Sequence, residues 1–88
     1  MSNVGASLEQ LDALAAEFRR QGGTAASLRT AVSARLGETE WIGASAQAFR
    51  DRWAAEYEPV LRRLETELGE LGTYVAAKRD QLDAAGNR

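Results

Sequence analysis

Apolar side chains recur every three or four residues over two long stretches of this chain. In the first stretch they are Leu8, Leu11, Leu14, Ala15, Phe18, Ala25, Leu28, Val32 and Leu36. In the second they are Ala46, Phe49, Trp53, Tyr57, Val60, Leu61, Leu64, Leu68, Leu71, Val75 and Leu82. Three- and four-residue steps place side chains on one face of an α-helix. The sequence therefore predicts an all-α protein with two long helices.

Helix one is predicted over about residues 7–36. Ser7, followed three residues later by Gln10, is typical of a capping box that satisfies free amides at a helix start, and Gly37 is a natural stop. Gly22-Gly23 lies inside the helix at a cost of roughly 1 kcal/mol per glycine. Either a partner packs over the flat glycine surface and the helix continues, or it breaks there; the unbroken phase of the apolar pattern favours continuity.

Helix two is predicted over about residues 45–84, with residues 85–88 as a frayed tail. Pro59 lies within it and lacks a backbone N–H, so we expect a kink or bulge near Glu56 to Pro59.

Residues 37–44 form the predicted turn between the helices, and they contain Trp41-Ile42-Gly43. A large indole on an exposed loop would leave apolar area in water, so Trp41 is expected to occupy a pocket. Gly43 supplies backbone freedom for a tight reversal, and the small residues after it let the second helix approach the first. The whole chain, residues 1–88, then forms a single helical hairpin; a hairpin with a buried tryptophan and no special function would show the same pattern.

A hairpin of this size leaves only a thin margin of stability. The 88 residues include no cysteine and no histidine, so disulfides and the usual zinc ligands are unavailable and association with another chain is expected. Two helices cannot bury all of the apolar residues, whereas a second hairpin would complete an antiparallel four-helix bundle. The predicted core and dimer residues are Leu11, Leu14, Phe18, Leu28, Val32, Phe49, Trp53, Val60, Leu64 and Leu71.

Charge and composition argue against several functional classes. Eleven basic and thirteen acidic residues are interspersed, which disfavours nucleic-acid binding, and no apolar run approaches the ~20 residues that a membrane span requires. General acid–base and nucleophilic catalysis most often need histidine or cysteine, so we expect no catalytic residues, no metal and no cofactor. The residues from Met1 to Phe18 lack the pattern of a classical signal peptide.

Trp41-X-Gly43 with Ala46 and Phe49, two long helices and the chain length together resemble the WXG family of small type VII secretion proteins, the Esx-like group of actinobacteria and firmicutes. The resemblance covers the whole chain. It implies a hairpin that pairs into a four-helix bundle, either with itself or with a second family member. It also implies export as a folded dimer through a membrane machine driven by an ATPase, without a cleaved signal peptide, after synthesis in the cytoplasm.

Family members that carry the export signal have an acid four residues after a tyrosine in a flexible tail, beside the partner's Trp-X-Gly turn. Here Lys78 lies four residues after Tyr74, and Asp80 lies six after it, so Tyr74 and Asp80 form at most a degenerate signal. Either a partner carries the signal, or Asp80 acts from a non-helical tail. Tyr74 also fits a simple role in capping the core with its hydroxyl in water.

The leading hypothesis is a non-enzymatic type VII secretion substrate or effector, secreted or at the cell surface, that acts as a helical dimer. The alternative is an intracellular helical adaptor or chaperone that masks the export helices of a larger toxin.

Overall fold

The computed structural model describes residues 6–86, which form a helical hairpin with no strand in that range. Helix α1 spans Leu8–Glu38, and α2 spans Ala44–Arg52. A π-helical turn at Trp53–Tyr57 joins α2 to α3, Glu58–Ala84, so the second half is one continuous rod. The molecule measures 66 × 19 × 18 Å. The predicted all-α hairpin is confirmed; part of the predicted tail, residues 87–88, lies outside the described residues.

Helix α1 begins as the sequence predicts and ends later. Ser7 is the N-cap, and its Oγ accepts a hydrogen bond from the Gln10 amide at 3.2 Å. The helix runs unbroken through Gly22-Gly23. The prediction that Gly37 stops it is wrong, because Gly37 is helical and α1 ends at Glu38. Its last carbonyls have partners: the Thr39 hydroxyl donates to the Arg35 carbonyl at 2.6 Å, which helps the final turn to form.

The expected irregularity near Pro59 is a π-helical turn that begins one turn earlier, at Trp53. The Glu58 amide donates to the Trp53 carbonyl, five residues back, instead of four. Pro59 has no N–H to complete the ordinary α-helical pattern, which makes a wider turn less costly here. The inward-facing positions Trp53 and Leu61 are therefore eight residues apart, whereas Leu61 and Leu68 keep the usual seven.

The two helices face each other along a row that we call the seam. On α1 it comprises Leu11, Ala15, Phe18, Gly22, Ala25, Arg29 and Ser33; on the second helix it comprises Ala46, Arg50, Trp53, Leu61, Glu65, Leu68, Gly72, Val75 and Arg79. All of these are buried or half-buried.

Small residues set the spacing of the helices at the seam. Among the described residues, the buried ones are Ala15, Gly22, Ala25, Ala46 and Gly72. A Cβ added at Gly22 would lie 3.6 Å from the Leu68 Cβ, so α3 itself covers Gly22, whereas a Cβ at Gly23 would meet nothing within 4 Å. Within residues 6–86 nothing larger than alanine is buried, so the hairpin has a narrow core there and no large side chain is fully removed from water.

Three polar contacts fix the axial register of the two helices relative to each other. Arg29 lies 3.2 Å from the Glu65 carboxylate in the middle of the rod, and Arg79 lies 3.0 Å from Asp12 near the chain termini. Towards the turn, the Trp53 indole N–H donates to the Ser33 hydroxyl at 3.0 Å.

Candidate partner-binding surface

Large apolar side chains stand exposed along the length of the hairpin. Leu14, Leu28 and Val32 lie on α1, and Tyr57, Val60, Leu64, Leu71 and Tyr74 lie on the second helix; their exposed fractions run from 36% to 59%. We call these eight residues the apolar side. The structure thus divides the predicted core set, because Leu11, Phe18 and Trp53 lie in the seam while the other seven are exposed.

The two exposed rows lie on one side of the hairpin. On α1, Leu14 immediately precedes the seam residue Ala15; on α3, Leu64 and Leu71 immediately precede Glu65 and Gly72. One residue earlier is a rotation of about 100° backwards around each helix. Since the helices face each other and run antiparallel, the same backward rotation carries both rows to the same side of the rod.

The opposite side has a different chemistry. The residues that immediately follow seam positions are small or polar, and most of them are exposed, among them Gly23, Thr30, Thr66, Thr73 and Asp80. The hairpin is therefore amphipathic across its width. A soluble partner that covers the apolar side would leave a polar outer surface, as expected for one half of a bundle.

The turn forms an aromatic tip at one end of the rod. The Trp41 ring packs against Phe49 with ring centroids 5.7 Å apart, and 39% of Trp41 remains exposed. Ile42 beside it is 93% exposed. Trp41 is thus not enclosed in the expected pocket: Phe49 covers part of its ring and the rest is exposed.

Gly43 adopts a backbone conformation that few other residues can reach, in agreement with the flexibility predicted for it from the sequence. Its φ of 115° and ψ of 178° lie in a region that is essentially restricted to glycine. This geometry turns the chain directly into α2, where Ala46 is buried.

Arg50 holds the connecting segment, residues 39–43, in place. Its guanidinium donates to the carbonyls of Trp41 at 2.8 Å, Thr39 at 3.0 Å and Leu36 at 3.3 Å. A cation at this position also complements the negative end of the α1 dipole. Sequence reasoning missed this residue; the available signal was an arginine on the otherwise small inner face of α2, seven residues after Gly43.

Tyr74, Lys78 and Asp80 all lie within α3, which continues to Ala84. The Lys78 ammonium stands 5.3 Å from the centre of the Tyr74 ring, in range of a cation–π contact. Asp80 lies 3.5 Å from Arg79 instead. Asp80 therefore lies in a helix in this structure and not in a non-helical tail, and its part in an export signal stays a prediction.

Several other charged groups form exposed pairs within one helix, such as Arg20 with Glu17 and Arg52 with Glu56. A hydrogen bond from Arg20 lowers the pKa of the fully exposed Glu17 carboxyl, and the Gln21 amide donates to the same carboxylate at 2.7 Å. Within residues 6–86, no group of three or more acidic, histidine or cysteine residues is placed to hold a metal ion. No helix in the same range is both long and apolar enough to cross a membrane.

Comparison with known proteins identifies no relative: no family model, curated protein or solved structure matches the chain.

Proposed function

We propose that this chain is a non-enzymatic type VII secretion substrate or effector that works as one half of a helical bundle. The observation that carries the proposal is the apolar side: eight large side chains stand exposed on a hairpin whose buried residues, within 6–86, are alanine and glycine only. An unpaired hairpin of this kind exposes large apolar side chains along much of its length, and exposed apolar patches on soluble proteins usually mark interaction sites. A second amphipathic hairpin matches its length and shape.

The tip supports the link to type VII secretion. Trp41 and Gly43 lie at the reversal of the hairpin, which is the position that the WXG resemblance implies, and Gly43 adopts a conformation that requires glycine. Export would then depend on the ATPase of the secretion machine, and the protein would leave the cell without cleavage of a signal peptide.

Export is tested by following the tagged chain in culture medium of a host with and without the secretion ATPase. The proposal predicts that secretion is lost with the ATPase, while the amount inside the cell is maintained. Secretion that continues unchanged without the ATPase would contradict it.

Pairing is tested by charge substitution on the two sides of α3. Leu64→Asp places an unpaired carboxylate in the proposed interface and is expected to weaken pairing at least about 100-fold. Thr66→Asp, the matched control, adds the same residue to the polar side two positions away and should pair normally. Analytical ultracentrifugation with the partner or second copy measures both, and equal behaviour of the two variants would refute the assigned surface.

A second function, an adaptor that masks the export helices of a larger toxin, is favoured by one contact. Lys78 rather than an acid lies beside Tyr74, so this chain lacks the acid that the family's export signal places there. An adaptor would stay in the cell while its toxin is exported. The fractionation above separates the two, because the adaptor remains in the cell pellet when the machine is active.

A further inference from the structure

We infer that Trp53 and Pro59 together lock the position of one extra residue in the second helix, and that this lock decides which side chains of α3 face α1. The inference concerns the fold of a single chain and is independent of the proposed function. Its basis is the π-helical turn at Trp53–Tyr57, which begins at the tryptophan and ends two residues before the proline.

The second helix contains one residue more than its seven-residue spacing requires. Before the π-helical turn, the seam residues Ala46 and Trp53 are seven apart; after it, Leu61 and Leu68 are seven apart. Trp53 and Leu61 are eight apart, although both lie in the seam. The extra residue must therefore be accommodated at one point, and a turn whose amide bonds five residues back is the usual means.

The apolar packing of the seam does not by itself decide where the π-helical turn lies. If the turn lay beyond Leu61, the residues that it passes would follow the spacing set by Trp53, and Val60 would replace Leu61 in the seam. Leu61 would rotate by about 100° to the polar side. Valine and leucine differ by one methylene group, so this exchange changes the buried apolar area only slightly. Seam contacts further along, including Arg29 with Glu65 at 3.2 Å, would be retained.

Pro59 prevents the π-helical turn from lying further along the helix. In a regular α-helix the amide of residue 59 would donate to the Ala55 carbonyl, but proline has no N–H and its ring clashes with that carbonyl. In the structure the Glu58 amide donates to the Trp53 carbonyl, five residues back, which widens the turn that precedes the proline. A π-helical turn placed beyond Leu61 would return this segment to regular α-helical geometry and restore the clash.

Trp53 prevents the π-helical turn from lying earlier in the helix. A π-helical turn before Trp53 would rotate the indole by about 100° out of the seam, and Ala54 would take its place. The hydrogen bond of 3.0 Å from the indole N–H to the Ser33 hydroxyl would then be lost. The observed position is therefore the one that satisfies both the tryptophan and the proline.

The lock determines the composition of the apolar side near the tip. Tyr57 and Val60 are 44% and 51% exposed, and they belong to the apolar side only while the π-helical turn lies before Pro59. With the turn beyond Leu61, both would face α1. Pro59 thus controls this part of the surface although it is not one of the eight residues that form it.

Deletion of Ala55, alone and combined with Pro59→Ala, tests the lock by a change of sign. The deletion removes the extra residue and leaves Trp53 and Leu61 seven apart. With Pro59 present, it forces the proline into a regular α-helical turn, so the urea midpoint should fall by about 0.5 M or more. In the Pro59→Ala chain the same deletion removes an irregular turn that no proline requires, so the midpoint should rise. Any other pattern of signs among the four chains, compared at one protein concentration, would overturn the inference.

Thiol labelling of Leu61→Cys follows the register directly, because the chain has no other cysteine. Residue 61 is half-buried in the seam. Pro59→Ala permits a second register in which residue 61 reaches the polar side, so its labelling rate should rise at least about threefold. Leu68→Cys, seven residues further along the seam, is the matched control and should keep its rate. An unchanged rate at residue 61 removes Pro59 from this role, and an equal rise at both positions means that the hairpin has loosened as a whole, which also contradicts the inference.

Discussion

Because the two helices approach closely at the seam, replacing two different glycines of α3 by alanine is expected to change the stability of the fold in opposite directions. Glycine inside a helix costs up to about 1 kcal/mol relative to alanine, so replacing it in open space should stabilise the fold by that amount. Gly69 and Gly72 lie three residues apart in α3. A Cβ at Gly69 meets nothing within 4 Å, whereas a Cβ at Gly72 would lie 3.1 Å from the Ala15 carbonyl oxygen and 3.0 Å from the Arg19 Cγ.

The two contacts at Gly72 differ in how easily they yield. The Arg19 side chain can swing away, but the Ala15 carbonyl belongs to the hydrogen-bonded backbone of α1. Relieving this contact requires the helices to separate by a few tenths of an ångström where Ala15 is only 3% exposed. Overpacking of a tight core costs about 1–3 kcal/mol. Gly72→Ala should therefore destabilise the protein by up to about 2 kcal/mol, once the ~1 kcal/mol propensity gain is subtracted.

Urea denaturation followed by far-ultraviolet circular dichroism, at one fixed protein concentration, measures both variants against the parent chain. The transition midpoint should rise for Gly69→Ala and fall for Gly72→Ala. In thermal melts, each 1 kcal/mol corresponds to a shift of about 4–8 °C for a domain of this size. If Gly72→Ala stabilises the fold as much as Gly69→Ala does, the seam is not held at the observed distance, and the argument from close approach fails.

Three further predictions concern the turn and its neighbours. Trp53→Phe and Ser33→Ala each remove the same interhelical hydrogen bond and should each cost about 1 kcal/mol, with the double variant costing less than the sum; full additivity in a double-mutant cycle would show that the bond is absent. Arg50→Lys keeps the charge but cannot span three carbonyls, so amide hydrogen exchange in the connecting segment should accelerate while total helix content stays constant; unchanged exchange would remove Arg50 from this role. Gly43→Ala should cost about 1–3 kcal/mol because of its backbone conformation, whereas Gly37→Ala, in helix, should be neutral or stabilising in the same thermal melt.

The periodic pattern predicted the helices because apolar residues spaced three or four apart fall on one face of an α-helix. It did not separate the seam from the apolar side, since Leu14 and Ala15 both fit one broad stripe on α1. Size decides between them. Two helices can approach closely only where side chains are small, so alanine and glycine occupy the most buried seam positions, and at the Leu14–Ala15 pair the larger residue turns outward.

The glycine pair Gly22-Gly23 shows the same limit of prediction from sequence, which does not tell which residue faces the other helix. Propensity alone marks Gly22 and Gly23 as a weak point, and the phase of the pattern correctly predicted continuity. Only the structure shows that the two glycines differ, with Gly22 buried against α3 and Gly23 in open space.

At the turn, the backbone conformation of Gly43 was predictable because it depends only on local geometry. The role of Arg50 was not predicted, because its acceptors are the backbone carbonyls of Leu36, Thr39 and Trp41, which any residue type supplies. The half-exposed state of Trp41 likewise depends on contacts beyond the turn itself.

The π-helical turn at Trp53–Tyr57 changes which residues of α3 face α1. One extra residue rotates everything downstream by about 100°. Without it, the heptad that begins with Ala46 and Trp53 would continue through Val60 and bring the large side chains of the apolar side inward against α1. Helix α3 thus contains two alternative stripes in one sequence. The π-helical turn places Leu61, Leu68 and Gly72 against α1 and leaves Val60, Leu64 and Leu71 exposed.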